Sequence, residues 1–344
     1  MQAAIKAIEY YLPENVLTNE QLALEYPGWD ADKIESKVGI AVRHIAEEGE
    51  CSSDLAFMSA QKMFEEGVCE PQEIDFLLFC TQSPDYFLPT TACILQDRLR
   101  LPKASGAMDF NLGCSGYIYG LGLAKGLIET GQARNVLLLT AETYSKYIHP
   151  QDKSVRTLFG DAAAATLVSG VDHVATDGAE PFIGPFVYGT DGSGSSNLMV
   201  PAGGMRRPHT EASAEVRVDD RGNLRSDDNL FMDGPEIFAF SLRTVPKAVR
   251  ELLALAGMET EEVDLFVFHQ ANQHMLNHLR KKMKIPEDKF YFALREVGNT
   301  VSATIPIALR QAIDEQALGP GQTALIVGFG VGYSWGTTLI RLGG

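Results

Sequence analysis

The chain has 344 residues, of which 45% are apolar and 22% charged, as in a folded globular protein of one large unit or two ordinary domains. Its formal net charge of -16 at pH 7 argues against general binding to nucleic acid or to anionic membranes. Five cysteines without a Cys-x-x-Cys pair indicate neither a disulfide framework nor a zinc site, and they fit a reducing cytoplasm. The sequence contains neither a signal-peptide pattern at its start nor an apolar run of membrane-spanning length.

The first half of the chain alternates between strand and helix patterns. Strands are predicted over residues 3–9, 74–80 and 136–140, and helices near residues 19–25 and after Ser53. This alternation predicts an α/β fold with a mostly parallel sheet and helices on its faces.

A weak repeat connects the two halves of the chain. Residues 73–80 resemble 262–269, residues 111–127 can be laid on 299–309, and residues 135–139 resemble 323–327, with offsets of 189, 188 and 188. The shared offset predicts a duplicated α/β unit.

The repeat also predicts how the chain divides. Its halves are expected to span residues 1–175 and 176–344. Residues 188–229, which are rich in Gly, Ser, Asp and Arg, are expected to form long loops or a lid over a site.

Cys114 follows an apolar run that ends at Gly113, and apolar positions then recur every three or four residues. The pattern predicts a strand, a tight turn and a buried helix, with Cys114 where the helix begins. Free N–H groups and the helix dipole at that position are expected to lower the thiol pKa and favour a nucleophilic thiolate. A small buried side chain that only packs is the alternative.

His269 and Asn299 are expected to lie at the carboxyl ends of strands, or just after them, where sites form in α/β proteins. Alone, His269 could be a hydrogen-bonded core histidine and Asn299 a turn residue. Together with Cys114 they form a set suited to thioester chemistry, because a thiolate can hold an acyl group while an imidazole and an amide stabilise an oxyanion.

Two other patterns are interpreted structurally. The glycines at 328, 330 and 332 precede a strand-like run rather than a helix, so a phosphate loop is not predicted. His274 and His278 have the spacing of a helical zinc pair but lack an acidic partner, so no metal site is predicted.

Five motifs then point to a family. They are Gly-Cys-Ser-Gly at 113–116, Phe-Gly-Asp-Ala-Ala-Ala at 159–164, His-Gln-Ala-Asn at 269–272, Gly-Asn-Thr at 298–300 and Gly-Phe-Gly-Val-Gly-Tyr-Ser-Trp-Gly at 328–336. In this order they resemble the motifs of β-ketoacyl-acyl-carrier-protein synthase III, in the thiolase superfamily. The resemblance implies a duplicated five-layer αβαβα thiolase fold, a homodimer without a cofactor, and condensation of an acyl thioester primer with malonyl carrier protein.

The resemblance also implies residue roles. The acyl group is carried on Cys114, and His269 and Asn299 donate hydrogen bonds to the malonyl thioester oxygen. The acyl oxygen is held by backbone N–H groups of Cys114 and of the turn at Gly330 and Val331.

Two surface features have implied roles as well. Phe87 and Leu88 reach across the dimer to close the partner's acyl pocket. The basic cluster of Arg280, Lys281 and Lys282 lies near the entrance, where an acidic acyl carrier protein would dock. The alternative for this cluster is a solvated helix face.

Several positions depart from the family pattern. Lys33 and Lys153 stand where many members have a tryptophan and an arginine that stack on the adenine of coenzyme A, and a lysine pair cannot replace that stacking. Val331 replaces a glycine, Pro235 a pantetheine-contacting asparagine, and His274 a basic docking residue. These departures favour a specialised relative that takes acyl groups from a carrier protein.

Two alternative functions remain. The chain could transfer the acyl group from Cys114 to an oxygen or nitrogen acceptor without condensation, or it could be the partner subunit of a heterodimeric condensing enzyme. The presence of both His269 and Asn299 favours condensation, and an intact Cys114 argues against a subunit without chemistry.

Overall fold

The computed structural model describes residues 1–172 and 180–343. Helices and strands are numbered in chain order. The helices of this part of the chain are α1 (Asn19–Glu25), α2 (Ala31–Val38), α3 (Ser52–Glu65), α4 (Thr91–Arg98), α5 (Gly116–Glu129), α6 (Lys153–Arg156), α7 (Gly234–Ala256), α8 (Gln273–Met283) and α9 (Thr304–Asp314).

The strands fall into two large sheets and a few short pairs. They are β1 (Gln2–Tyr11), β2 (Val16–Thr18), β3 (Val42–His44), β4 (Phe76–Cys80), β5 (Gly106–Phe110), β6 (Asn135–Glu142), β7 (Ala162–Val171), β8 (Phe182–Thr190), β9 (Leu198–Met199), β10 (Arg217–Val218), β11 (Leu224–Arg225), β12 (Phe231–Met232), β13 (Leu265–Phe268), β14 (Thr323–Gly330) and β15 (Ser334–Arg341). The helices and strands predicted in the first half are confirmed.

The two large sheets have the strand orders β1-β7-β6-β4-β5 and β13-β14-β15-β8. The pairs β4/β5, β4/β6 and β13/β14 are parallel, whereas the other pairs in these sheets are antiparallel. Because β7 is antiparallel to both of its neighbours, β1, β6, β4 and β5 all run in the same direction, and the predicted mostly parallel sheet is confirmed. In the second sheet only β15 runs against the other strands, because the three-residue turn at residues 331–333 that joins it to β14 is too short for the crossover that a parallel pair needs.

Helices and sheets alternate in five layers. Helices α3 and α4 pack on the outer face of the first sheet, α5 and α9 lie between the sheets, and α7 packs with α8 on the outer face of the second sheet. Successive side chains of a strand face opposite layers, so Leu78 belongs to the central core and Leu77 to the outer one. Burial on both faces explains why β4 and β6 are continuous apolar runs.

The repeated segments form equivalent elements. Strand β4 corresponds to β13, helix α5 to α9, and strand β6 to β14. The predicted boundary between residues 175 and 176 lies outside the described residues. The first sheet ends with Val171 of β7, and the second sheet's earliest strand begins at Phe182.

Of residues 188–229, which the sequence predicts as long loops or a lid, the first three end β8, and the rest form loops with short strands and a short 3-10 helix. Ion pairs hold this segment to the body of the protein and to itself. The Arg225 guanidinium lies 2.6 Å from the buried carboxylate of Asp152 and also pairs with Asp219.

Arg43 is a fully buried cation close to the start of the 298–304 segment. Its Nε donates to the Thr157 carbonyl at 2.9 Å, and its Nη1 donates to Asn19 Oδ1 at 2.6 Å. Burial lowers the pKa of Arg43 to about 10, so the side chain remains a cation at neutral pH. A Cβ on Gly298, which has φ of 78°, would lie 3.2 Å from Arg43 Cγ. Arg43 therefore supports the backbone that leads to Asn299.

We predict that Arg43→Met lowers the free energy of unfolding by about 2–4 kcal/mol. The substitution keeps the apolar stem but leaves a buried carbonyl and a buried amide oxygen without their donor. Urea denaturation measures the change. The exposed Arg206 provides a control, because Arg206→Met is expected to change the value by less than about 0.5 kcal/mol. Equal changes in the free energy of unfolding for Arg43→Met and Arg206→Met would contradict a supporting role for Arg43.

Candidate active site

Cys114 lies in the turn between β5 and α5 and is buried, with 5% of its surface exposed. The end of β14 is in direct contact with it. A Cβ at Gly330 would lie 2.7 Å from Cys114 Sγ, and a Cβ at Gly328 would lie 2.7 Å from the Cys114 carbonyl oxygen. Only glycine at both positions allows the strand to approach this closely.

The backbone N–H groups of Cys114 and Val331 favour the thiolate and so lower the pKa of the Cys114 thiol. Burial has the larger effect and raises the pKa of Cys114 to about 12, with a further increase from the charge of Glu142. The predicted lowering of the thiol pKa at the helix start is therefore wrong, because desolvation of the thiolate outweighs the favourable dipoles. The resting side chain is a neutral thiol.

His269 follows β13 directly and is buried. Its backbone N–H donates to the Val327 carbonyl at 2.7 Å, which fixes it beside β14. Its Nδ1 lies 2.7 Å from Thr304 Oγ1, and its ring meets Phe329 edge to face. Burial lowers the pKa of His269 to about 3, so the imidazole is neutral at physiological pH.

Asn299 lies in an irregular segment rather than at the end of a regular strand, in contrast to the prediction. An isolated bridge with Phe159 holds its backbone. The Val301 N–H donates to Asn299 Oδ1 at 3.0 Å, and Asn299 Nδ2 donates to the Ala271 carbonyl at 3.4 Å. These two bonds orient the amide, with its N–H2 group toward the segment that follows His269.

The structure brings the three predicted residues into one region. Cys114 contacts Gly330 at the end of β14, and the ring of His269 meets the adjacent Phe329. Asn299 bonds the carbonyl of Ala271, two residues after His269. A further bond fixes the Cys114 turn against the β14–β15 turn, since Ser115 Oγ and Ser334 Oγ are 2.6 Å apart.

Glu142, at the end of β6, is a buried carboxyl near Cys114 that the sequence reasoning missed. It accepts hydrogen bonds from Ser302 Oγ at 2.9 Å, from the Gln82 N–H at 3.0 Å and from Ser83 Oγ at 3.1 Å. Burial raises its pKa to about 8. The sequence could have indicated Glu142, because this acidic residue comes directly after the apolar run of β6.

Phe87 and Leu88 lie outside the buried cluster that contains Cys114. They are 76% and 85% exposed, on the loop between β4 and α4. Within one chain they are surface residues rather than walls of a pocket around Cys114.

The basic residues on α8 divide into two kinds. The Arg280 side chain is only 12% exposed, and its guanidinium pairs with Glu287 at 3.1 Å. Lys281 and Lys282 are exposed in the last turn of the helix.

The described residues lack two features that other functional classes require. They contain no group of three or more His, Cys, Asp or Glu side chains placed to hold a metal ion. Within the same residues, no helix has the length and apolar character needed to cross a membrane.

Comparison with known proteins identifies the family. The model for 3-oxoacyl-[acyl-carrier-protein] synthase III matches residues 108–192, and the model for its C-terminal part matches residues 253–342. A β-ketoacyl-[acyl-carrier-protein] synthase III of Caldanaerobacter subterraneus subsp. tengcongensis is 36% identical over 98% of this chain and 97% of that protein. The chain belongs to the synthase III family.

Solved structures agree with this assignment. A crystal structure of a 3-oxoacyl-(acyl-carrier-protein) synthase III is 54% identical, with a TM-score of 0.96 over 99% of this chain and 100% of that one. A 3-oxoacyl-(acyl-carrier protein) synthase from Burkholderia xenovorans LB400 is 36% identical, with a TM-score of 0.90 over 100% of this chain and 95% of that one. The predicted family, the thiolase fold and the acyltransferase class are confirmed.

The residues that depart from the synthase III pattern have structural surroundings of their own. Lys33 Nζ donates to the Gly28 carbonyl at 2.9 Å, and Lys37 covers the ring of Trp29 at 4.5 Å. Lys153 begins α6, and its Nζ lies 4.0 Å from a Cβ placed on Gly222.

The other departures are accommodated locally. Pro235 occupies the first turn of α7, where a missing N–H has no cost, and His274 stacks on Phe238 with ring centroids 5.6 Å apart. The Val331 side chain packs at Gly113, where an added Cβ would lie 2.8 Å from Val331 Cγ1.

We predict that the alkylation rate of Cys114 rises about tenfold for each pH unit between pH 7 and pH 9, without a plateau. The thiolate is the reactive form, and with a pKa near 12 its fraction keeps increasing through this range. Intact-protein mass spectrometry after timed exposure to iodoacetamide measures the rate, and Cys114→Ala identifies the mass increment of this residue. A plateau at or below pH 7.5 would mean that the thiolate is stabilised in the resting protein.

Proposed function

We propose that this chain catalyses the decarboxylative condensation of an acyl thioester primer with malonyl-acyl-carrier-protein to give a 3-oxoacyl thioester, in fatty acid or related secondary-metabolite biosynthesis. One observation carries the proposal: the end of β14 contacts the buried Cys114 sulfur through Gly330 and the His269 ring through the adjacent Phe329, while Asn299 bonds the segment that follows His269. Such a site can hold an acyl group and stabilise two successive oxyanions.

In the first half-reaction the acyl group moves from its donor thioester to Cys114. The S–C bond to Cys114 forms as the bond to the donor sulfur breaks, and the thiol proton ends on the departing donor thiol. The N–H groups of Cys114 and Val331 hold the acyl oxygen as it becomes negative. Gly330 contributes by leaving space for the sulfur. Each well-placed donor lowers such a barrier by about 3 kcal/mol.

In the second half-reaction a malonyl thioester loses CO2. His269 and Asn299 donate hydrogen bonds to its thioester oxygen, where negative charge collects. The resulting carbanion attacks the acyl group, and the Cys114 thiolate that leaves takes up a proton. A neutral imidazole is suited to this role provided that Nε2 carries the proton.

We also propose a homodimer of two-part subunits, with the parts spanning residues 1–175 and 176–344. Within the described residues, β5 pairs only with β4 and so forms an edge of its sheet. Met108 on this edge and Leu123 on α5 are exposed apolar side chains. An unpaired edge strand beside apolar surface is suited to pairing with a second copy.

The loop that carries Phe87 and Leu88 supports the dimer proposal. It connects β4 to α4, and α4 packs on β5, so the loop belongs to the same region as the exposed edge. Two exposed apolar side chains are expected to be buried when the protein assembles. In the dimer they would close the acyl pocket of the partner and so influence acyl chain length.

Acyl carrier protein is the proposed partner. Of the basic cluster, Lys281 and Lys282 are the exposed cations available to an acidic surface, whereas Arg280 is engaged by Glu287. Coenzyme A is the weaker donor in this proposal because Lys33 is directed to its own loop. The five cysteines are free thiols, which supports a reducing, cytoplasmic location, and the net charge of -16 disfavours nucleic acid as a partner.

We predict that Cys114→Ala abolishes formation of the acyl-enzyme, whereas His269→Ala and Asn299→Ala still load an acyl group but lose CO2 release by 100-fold or more. The two side chains act on the malonyl oxyanion, so their removal affects the second half-reaction. Intact-protein mass spectrometry measures loading from a panel of acyl thioesters, and single-turnover release of labelled CO2 measures decarboxylation.

Cys93→Ser is the matched control, because this cysteine is exposed and lies outside the site. If the Cys114→Ala variant acquires the acyl group at another cysteine, the assignment of Cys114 as the nucleophile is overturned. Loading that proceeds to an alcohol or amine acceptor without CO2 release would favour the non-condensing acyltransferase. Activity that requires a different second subunit would favour a heterodimer.

We predict that acyl carrier protein donors load Cys114 roughly five- to 100-fold more efficiently than the same acyl group on coenzyme A at low salt. Stacking of an aromatic group on the adenine is worth about 1–3 kcal/mol, and this chain lacks it at positions 33 and 153. The advantage is expected to shrink as salt increases, since exposed charges steer the carrier. Competition between the two donors at equal concentration measures the ratio.

A charge-reversal pair tests the docking surface. Lys281→Glu with Lys282→Glu is expected to reduce loading from the carrier but not from coenzyme A, whereas Lys6→Glu, an exposed lysine on β1, is expected to change neither. A preference for coenzyme A at low salt would exclude the carrier-specific donor site.

A further inference from the structure

Thr304, the first residue of α9, is a buried hydroxyl that no step of the reaction above uses. It lies between two groups. Its Oγ1 is 2.7 Å from His269 Nδ1 and 3.0 Å from the Val301 carbonyl oxygen. A hydroxyl has one proton, and a carbonyl can only accept, so the two contacts compete for that proton.

The position of this proton decides which nitrogen of a neutral His269 is protonated. If Thr304 donates to the Val301 carbonyl, Nδ1 must carry a hydrogen to bond Oγ1, and Nε2 is bare. If Thr304 donates to Nδ1, then Nδ1 is bare and Nε2 carries the proton. Only the second arrangement presents an N–H on the ring nitrogen opposite Thr304.

The two distances favour donation to His269. A separation of 2.7 Å is typical of a hydroxyl donor and short for a ring N–H donor, for which 2.9–3.0 Å is usual, whereas 3.0 Å is at the long end for a hydroxyl donor to a carbonyl. The shorter contact is thus the one along which the hydroxyl proton points.

We infer that Thr304 is a positioning residue which, by donating its hydroxyl proton to Nδ1, keeps the proton of His269 on Nε2. This inference rests on the proposed function for its catalytic meaning, because Nε2–H is the donor to the malonyl oxyanion. Its structural content, the tautomer of His269, does not depend on any reaction.

Val301 places the hydroxyl. Its backbone has φ of 56°, a left-handed conformation that is rare for a β-branched residue. In this conformation its N–H donates to Asn299 Oδ1, and its carbonyl oxygen lies 3.0 Å from Thr304 Oγ1. One strained residue therefore orients the Asn299 amide and also contacts the hydroxyl that lies beside His269.

The tautomer of the wild-type protein is the first test. With histidine labelled at both ring nitrogens, 15N NMR at pH 7 is expected to show Nε2 as the protonated nitrogen of His269 and Nδ1 as the unprotonated one. The spectrum of His269→Gln identifies the signals. A protonated Nδ1 in the wild-type protein overturns the inference, whether or not the chain catalyses condensation.

Variants then connect the tautomer to the chemistry. Thr304→Val keeps the shape and removes the hydroxyl, so a second tautomer is expected to appear in the NMR spectrum, and CO2 release is expected to fall about three- to tenfold. Acyl loading on Cys114 is expected to stay within twofold. Thr304→Ser, which restores a hydroxyl, is expected to recover both the spectrum and the rate.

Thr337→Val is the matched control, because the Thr337 hydroxyl is buried without a hydrogen-bond partner in the described part of the chain. It is expected to leave the His269 signals and both half-reactions unchanged. An unchanged tautomer in Thr304→Val, or an equal loss of loading and CO2 release, would reduce Thr304 to a packing residue. If Thr304→Val does not fold, the wild-type spectrum still decides the assignment.

Discussion

The close contact between the Cys114 turn and the end of β14 is the constraint on which the rest of the site depends. Backbone meets backbone there, since a Cβ at Gly328 would lie 2.7 Å from both the Cys114 carbonyl oxygen and Ser115 Cα. This approach also places Gly330 against the Cys114 sulfur, and the N–H of the next residue, Val331, favours the thiolate there. The bond between Ser115 and Ser334 then fixes the two turns in register. Without small residues on β14, the nucleophile and its second donor would belong to separate layers.

Burial determines the electrostatics of this site. It keeps Cys114 a thiol and His269 a neutral imidazole, and it raises the pKa of Glu142 to about 8, so that the resting site holds little charge at pH 7. Charge therefore develops only when a substrate reacts. Fixed donors in a dry site stabilise such developing charge more effectively than water does, because they are already oriented. The high cost of a buried thiolate is consistent with a nucleophile that reacts only in the presence of an acyl donor.

Structural elements were predicted correctly where a local sequence pattern is compatible with only one kind of structure. The apolar runs at β4 and β6 indicated strands, and the runs before Cys114 and His269 likewise indicated β5 and β13, the strands that these residues follow. The reversed direction of β7 was not predictable, because a strand that is buried on both faces has the same pattern in either direction. The pKa of Cys114 was predicted in the wrong direction because the helix start can be read from sequence, whereas the depth of burial cannot.

The residues that the sequence did not reveal act through distant contacts. Glu142 is far in sequence from Ser302, and Thr304 lies 35 residues from His269. No spacing rule connects such pairs, since they meet only when the two halves pack. Asn299 was identified by its neighbours in a motif, although the strand expected before it does not exist: a bridge to Phe159 holds it instead.

The repeat explains why Glu142 and Gly330 occupy comparable places. Strands β6 and β14 each have eight residues and end at Glu142 and Gly330, which differ by 188 in residue number. The same offset relates Cys114 to Ser302, and each of these lies just before a central helix. Gly330 of the second half therefore contacts Cys114 of the first, just as Glu142 of the first half contacts Ser302 of the second.

These two equivalent contacts differ in chemistry because Gly330 has no side chain, whereas Glu142 has a carboxyl group. At the end of β14 the absence of a side chain leaves room for a reactive sulfur and exposes the next backbone N–H to it. At the end of β6 a carboxyl fills the corresponding space and accepts a hydrogen bond from Ser302, which fixes the segment that holds Asn299 and Thr304. One copy of the repeated turn thus carries the nucleophile, and the other provides the rigid support for the side chains that face it.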